Sequence, residues 1–575
     1  MPLSLTWLSL SLNAVLIWFS LSTFSSYRQP RPHNFQNIDA EQWYEKHPVD
    51  LLNASAIFNT VHGALKEKDN SIFPVGVSFI PAYIPPNTLM YHSTGSPHVP
   101  ESYEWIAMDY EFSYSFAGFD RGNGPPRFGK PHKRPHKTMV GERSQEVITE
   151  EFVHPFRGTF LYTFRNTKPL DKLIYLDGAS AAKTNTGEMD QQLILSRQKD
   201  IYKKVNEYEA AEKICNWGKE FGLQGFIRLE VGFEMVLCDF HDGIELVANV
   251  TLNNITSLAH LPYERPTPET PLEEKRKHLV DKWSYMNRFE HQQAGAGVDS
   301  GDQRILLDFS KMVTPLNHTW LNPDPYKRRI HNLSEELKEA LISDVRQSVL
   351  EPVDPFHQTN WQVLTRRIEE KFAPMLSELN TTLEVFEASS KEGDLGAALE
   401  TAISDLSRLT FNFVRRYSDD NTDDEQTKEK DAIKMAIKDY AYHTFPLTTR
   451  SDSLIYSSLY RVTREVVETV FEIFRDVREM MSDIYIEPKN DRHDEFKHSL
   501  LTMKQKLADL LGALRWSIFT RCSRLCKWDE VCYTPTWGPG PMGWGANDKY
   551  FEFDGERYRI PMALQCVNYK DMRRW

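Results

Sequence analysis

The chain begins without a positive charge. Its first basic side chain is Arg28, so the basic leader that opens most signal peptides is missing. Long apolar runs are also scarce. Only residues 3–24 form one, and mean hydropathy is −0.51, which excludes a polytopic membrane protein. Basic residues are outnumbered by 81 acids to 68 lysines and arginines, a net charge of −13. That deficit argues against a nucleic-acid coat, and no nucleic-acid partner is expected. Cysteine is sparse, with six residues and no C-x-x-C pair, so a zinc knuckle is disfavoured. No glycine-rich phosphate loop is present either. Asp177 and Ala182 stand where such a loop before Lys183-Thr184 requires glycine.

What is there suffices for large cores. Hydrophobic residues make up 40% and aromatics 12% of 575 residues, which rules out wholesale disorder. The run at 3–24, followed by small residues and then Arg28, Pro30 and Pro32, reads as a signal peptide within residues 1–25. The alternative is an uncleaved anchor, since the run is long enough to span a bilayer. Six N-x-S/T sequons, at Asn53, Asn249, Asn254, Asn317, Asn332 and Asn380, are candidate glycosylation sites. The cysteines are even in number: Cys215, Cys238, Cys522, Cys526, Cys532 and Cys566. In an oxidising lumen they read as disulfides, with four of them stapling the C-terminal tail. The expected location is therefore secreted or lumenal. Membrane attachment is expected only through the N-terminal segment if it stays uncleaved.

The texture changes along the chain. Residues 27–70 are polar and mixed, and read as an entry segment with a short helix. Strands are expected at 158–166, 172–177 and 233–240, with one helix over 193–221. Residues 71–265 therefore form an α+β domain with a mixed or antiparallel sheet. Proline, glutamate and lysine fill 266–330, which reads as a linker or long loops. From 331 to 520 the apolar residues repeat in threes and fours. One stripe runs from Trp361 to Leu379, another from Leu459 to Met480 and a third from Leu500 to Leu514. That is a helical bundle, with Pro352, Pro374, Pro446 and Pro488 expected to divide it. Residues 521–575 form a Cys-rich tail.

Several segments invite chemistry and then disappoint. RFGKPHKRPHK at 127–137 is basic but aperiodic, and reads as a solvated loop. The acidic stretch 418–431 lacks the glycine turn and terminal glutamate of a calcium loop. Ser180 in DGASAAKT has small neighbours suited to a nucleophile elbow, but Thr184–Gly187 continues as a loop.

One ordered set of motifs goes further. A strand ends in Tyr91-His92-Ser93-Thr94, then come Glu104-Trp105-Ile106-Ala107-Met108-Asp109 and an aromatic segment. Phe160–Arg165 follows, and last comes Gly232-Phe233-Glu234-Met235. This order resembles His-Tyr-Glu type ADP-ribosyltransferases. The resemblance implies an ADP-ribosyltransferase-like fold acting on NAD. His92 and Ser93 would hold the nicotinamide ribose and amide, Trp105 would stack on nicotinamide, and Glu234 would be catalytic. Ser93 replaces the family's glycine, Trp105 its tyrosine, and the spacing from His92 to Trp105 is short. The whole chain also resembles an uncharacterised family of secreted fungal proteins, through YHSTGSP, EWIAMD, YLDGASAAKT and CNWGKEFGLQGFIRLEVGFEMVLCDF.

Two functions remain in view. One is a secretory-pathway glycoprotein with an NAD-dependent transferase domain. The other is a non-catalytic binding or structural glycoprotein of the cell surface or lumen. Glu234 shares its strand face with Val236 and Cys238, so an ionised carboxylate there needs an opening to water or a cationic partner such as Arg228 or Lys219.

Overall fold

Aromatic and β-branched residues gather nine strands into one curled sheet. A computed structural model describes residues 40–72, 76–94, 96–115, 159–179, 189–198, 207–229, 232–252, 267–272, 301–316, 330–422, 424–486 and 492–533, with short pieces at 552–553, 558–559 and 564–568. The strands are β1 (Phe79–Ile84), β2 (Leu89–Thr94), β3 (Glu104–Ala107), β4 (Thr159–Asn166), β5 (Leu170–Ala179), β6 (Gly225–Leu229), β7 (Phe233–Leu237), β8 (Ile244–Leu252) and β9 (Leu306–Leu307). Their spatial order is β8-β4-β2-β3-β7-β6-β5-β1-β9, and every pair is antiparallel except β5 with β6. The chain is thus α+β, with a mostly antiparallel sheet followed by helices.

The helices fall into two groups. The first holds α1 (Ala40–Lys46), α2 (Leu51–Gly63), α3 (Glu67–Ile72), α4 (Tyr110–Ser115), α5 (Asp190–Leu195) and α6 (Glu207–Gly218). The second holds α7 (Glu335–Leu350), α8 (Trp361–Glu392), α9 (Leu395–Tyr417), α10 (Glu425–Tyr440), α11 (Arg450–Tyr485) and α12 (His493–Leu514). Caps explain several starts. Ser334 accepts from the Leu337 amide, Asp394 from Gly396 and Ala397, Asp424 from Thr427, and Thr449 from Asp452. The three apolar stripes lie on α8, α11 and α12 and face one shared core.

The polar segment 27–70 contains a short helix as expected, α2, which is buried on nearly all sides and packs against α8, α11 and α12. Four expectations need correcting. Residues 266–330 are not merely a linker. Leu306-Leu307 extends the sheet beside β1, while Ile305, Phe309 and Leu316 are buried. Within the expected helix 193–221 the described residues fall in two helices, α5 ending at Leu195 and α6 starting at Glu207, and Arg197, just past the end of α5, has φ of 52°. Pro374 does not divide the bundle. It sits on the exposed side of α8, where the carbonyl it leaves free can meet water. The helical region also begins differently: α7 packs on β1, β5 and α5, so it covers the sheet.

Sheet and bundle therefore share one continuous apolar core. Polar contacts cross the seam as well. Asn59 donates to the Leu514 carbonyl at 3.0 Å, and Gln362 to the Ala64 carbonyl at 3.0 Å. Buried His62 meets Glu369 of α8 at 2.7 Å. No helix among the described residues is long and apolar enough to cross a membrane. The run at 3–24 lies outside them.

Backbone proximity and a positive φ together make Gly178 indispensable. Gly178 has φ of +86°, and a Cβ there would lie 2.7 Å from the Gly76 Cα. Gly178→Ala should cost about 2 kcal/mol or more, because neither backbone can yield. Gly512 in α12 has open space around its missing Cβ, so Gly512→Ala should stabilise by up to about 1 kcal/mol. Denaturant unfolding of both variants checks the contrast.

Candidate functional site

Four adjacent strands, β2, β3, β7 and β6, carry the residues singled out by sequence. Register decides which of them can meet. Tyr91 pairs with Ala107, Ala107 with Glu234, and Glu234 with Arg228. Directly paired residues share a face, and so do residues two apart. Ser93, Trp105, Glu234 and Arg228 therefore lie on one face of the sheet. His92 is one residue out of phase and lies on the other.

The contacts agree with the parity. His92 is buried against Tyr162 and Phe240, with ring centroids 6.5 and 5.8 Å away. Burial pushes its pKa down to about 4, so the ring is neutral at physiological pH. Its Nδ1 donates to the Trp105 carbonyl at 2.7 Å. His92 thus holds β2 to β3 from within the core. The four sequence candidates do not converge on one cleft.

On the opposite face the centre is Arg228. It is 3% exposed, and Glu234 is 5% exposed. The Arg228 Nε donates to Glu234 at 2.7 Å, Nη1 to the Gln192 side-chain carbonyl at 3.2 Å, and Nη2 to Glu207 at 3.2 Å. Its guanidinium lies 5.9 Å from the centroid of the Trp105 ring. Tyr208 meets that ring edge-on at 4.6 Å. Ser113 of α4 donates to Ser93 at 3.3 Å. Glu104 sits at the rim, where burial raises its pKa. The hydrogen bond from the Trp105 amide opposes that rise, and the charge of Glu234 adds to it. Of the two partners open to Glu234 in sequence, the structure uses Arg228.

Helix α5 supplies what sequence reasoning missed. Its first three side chains, Asp190, Gln191 and Gln192, are all buried and reach three different places. Asp190 accepts from His331 at 3.0 Å. Gln191 donates to the Ser78 carbonyl at 2.7 Å and to Asp177 at 2.9 Å. Gln192 accepts from Arg228. The signal was three successive polar residues set directly against Leu193-Ile194-Leu195, an unusual start for a buried helix. Asp177 also accepts from Thr60 at 3.0 Å and from the Ser78 amide at 2.6 Å. It is a structural hub at the end of β5. Ser180 and the basic segment 127–137 lie outside the described residues.

The cysteines form three disulfides, Cys215–Cys238, Cys522–Cys532 and Cys526–Cys566. The first ties α6 to the end of β7. In the tail, the sulfurs of Cys522, Cys526 and Cys532 lie close together, but all are bridged and none offers a thiolate to a metal. The sequons differ in setting. Asn53 is buried in α2 and bound to Asp50 at 2.7 Å, which bars a glycan from the folded chain. Asn380 is half-buried within α8 and donates to Glu384 at 2.9 Å. Asn249 and Asn332 are exposed, whereas Asn254 and Asn317 lie outside the described residues. A groove of about 560 Å³ opens elsewhere, between residues 310–315, α7 and the start of α11, and no candidate lines it.

Comparison with known proteins places these features in a lineage. Residues 37–155, 145–281 and 270–354 match the YPL277C N-terminal domain, and residues 360–488 match the YPL277C C-terminal domain. The chain belongs to this family. The Saccharomyces cerevisiae protein YOR389W, described as uncharacterized, is 32% identical over 609 residues, covering 96% of this chain and 94% of the relative. YPL277C of the same yeast, also described as uncharacterized, is 33% identical over 432 residues, covering 66% and 86%. No solved structure matches. The join between the two family domains, near 354–360, follows α7 and agrees with that helix packing on the sheet.

A pH dependence follows from Asp177. Burial raises its pKa to about 6, against hydrogen bonds that lower it. The unfolded chain would release that proton near pH 4. The folded state therefore holds the proton more tightly, and stability should fall as pH rises from about 4 to about 6. The expected loss is up to about 3 kcal/mol. Asp177→Asn should flatten this part of the pH–stability curve, as measured by urea unfolding at each pH.

Proposed function

We propose that this chain is a non-catalytic glycoprotein of the secretory pathway, serving as a binding or structural module at the cell surface or in the lumen. One observation carries the non-catalytic part: His92 and Glu234 lie on opposite faces, and the Glu234 carboxylate is engaged by buried Arg228. A glutamate that steers an oxocarbenium-like centre must present its charge to the ligand. Here a fixed cation already takes it up. Among the described residues two carboxylates, Glu207 and Glu234, meet this one guanidinium, and a third, Glu104, is close enough to Glu234 for their charges to act on each other. That excess of negative charge suits the pyrophosphate of NAD poorly. Pairing of all six cysteines supports an oxidising compartment.

The transferase reading keeps one observation in its favour. Ser93, Trp105 and Glu234 do share a face, so a stacking ring and a carboxylate are neighbours. It requires Glu234 to leave Arg228 when NAD arrives.

Calorimetry of the purified lumenal portion with NAD should show no saturable heat, and incubation should release no nicotinamide. Saturable binding, with nicotinamide release that Glu234→Gln abolishes, would replace this reading with the transferase. In parallel, glycosidase treatment should raise gel mobility, and no thiol should react with alkylating agent before reduction.

A further inference from the structure

The two edges of the sheet are built differently. At one end β9 is two residues long, too short to template another strand. At the other end β8 is nine residues long, and among the described residues no strand pairs with its outer side. Its side chains from Glu245 to Thr251 are exposed on both faces, including Leu246, Val247 and Val250, which are 44%, 51% and 48% exposed.

Such an edge invites pairing with another chain unless something blocks it. The usual blocks are lysine, proline, a bulge, a short strand or a cover. The sequence IELVANVTL contains no lysine and no proline. Its one acid, Glu245, is taken by Arg165 of β4 at 2.8 Å. A bulge falls where Thr163 pairs with Ala248 and Phe164 with Leu246. It interrupts the ladder once and leaves the stretch beyond it regular. That stretch holds Asn249-Val250-Thr251. Asn249 and Thr251 pair with Tyr162 and Phe160, so the sequon's amide and hydroxyl residues project from the same face, and both are exposed.

We infer that Asn249 carries an N-linked glycan that caps the β8 edge against pairing with a second copy of this chain. The inference rests on the secretory-pathway reading. Attachment joins the Asn249 Nδ2 to the anomeric carbon of a lipid-pyrophosphate-linked oligosaccharide. The anomeric carbon–oxygen bond breaks, the lipid pyrophosphate leaves, and the amide gives up one proton. The glycan is bulky and hydrated, and it stands midway along the only long free edge among the described residues. It supplies the block that charge and proline supply in other sheets.

Mass mapping of glycopeptides from secreted protein should find Asn249 and Asn332 occupied. Asn249→Gln and Thr251→Ala should each shift the protein from monomer to dimer or larger in size-exclusion chromatography. Thr251→Ser, which keeps the sequon, should remain monomeric. Adding Val247→Lys to Asn249→Gln should restore the monomer, because a charged edge resists pairing. Trimming the glycan on folded wild-type protein with an endoglycosidase, which leaves one sugar and no new acid at position 249, should reproduce the shift, separating a cap from an aid to folding. Asn332 occupied with Asn249 bare would overturn this inference alone. No occupied sequon anywhere would overturn it together with the secretory assignment. An occupied Asn249 whose removal leaves the protein monomeric would overturn the capping role.

Discussion

A single buried guanidinium organises this half of the molecule. Arg228 sits on a central strand with almost no exposure, where an unpaired charge would cost several kcal/mol. Everything near it answers that requirement. Glu234 meets it from β7, Gln192 from α5 and Glu207 from α6, with the Trp105 ring alongside. Each partner comes from a different element, so satisfying Arg228 fixes where α5 and α6 lie on the sheet. The Cys215–Cys238 bridge then secures α6 at its other end. Such a pair adds little net stability over an apolar equivalent. Its effect here is to admit one arrangement of helices on this face.

The same logic recurs at the seam with the bundle. Asp177 draws donors from Thr60, Ser78 and Gln191, and α5 reaches both hubs through consecutive residues. Helix α2 is the other half of that seam. It inserts between sheet and bundle, and its Phe58 ring stacks on Trp516 at 5.6 Å. A helix of the N-terminal family domain thus packs into the helical bundle. Separating the two would expose apolar surface on each side.

Legibility in the sequence followed the physics of patterning. β4, β5 and β7 were readable because aromatic and branched residues cluster between turn residues, and the bundle helices because one face of each is apolar. The place of helix α2 in the core was not, since LLNASAIFNTVHG is buried on nearly all sides and shows no stripe. β9 is too short to leave a pattern. The site was half legible. The ion-pair alternative for Glu234 named Arg228 correctly, and Trp105 does share its face. His92 misled because strand parity between distant segments depends on register, which no single segment reveals. The helical partners Gln192 and Glu207 were hidden for the same reason.

The central claim is that Glu234 and Arg228 hold the fold together rather than face a ligand. A double-mutant cycle tests it most directly, with Arg228→Met, Glu234→Leu and the two combined, each measured by urea unfolding of the disulfide-intact protein. Each single change should cost about 3–5 kcal/mol, because it strands the other charge in the core. The double variant should cost far less than the sum, since the two apolar side chains can pack together while Glu207, about a quarter exposed, turns to water. Two small and additive effects would mean that neither charge depends on the other, and would contradict the account.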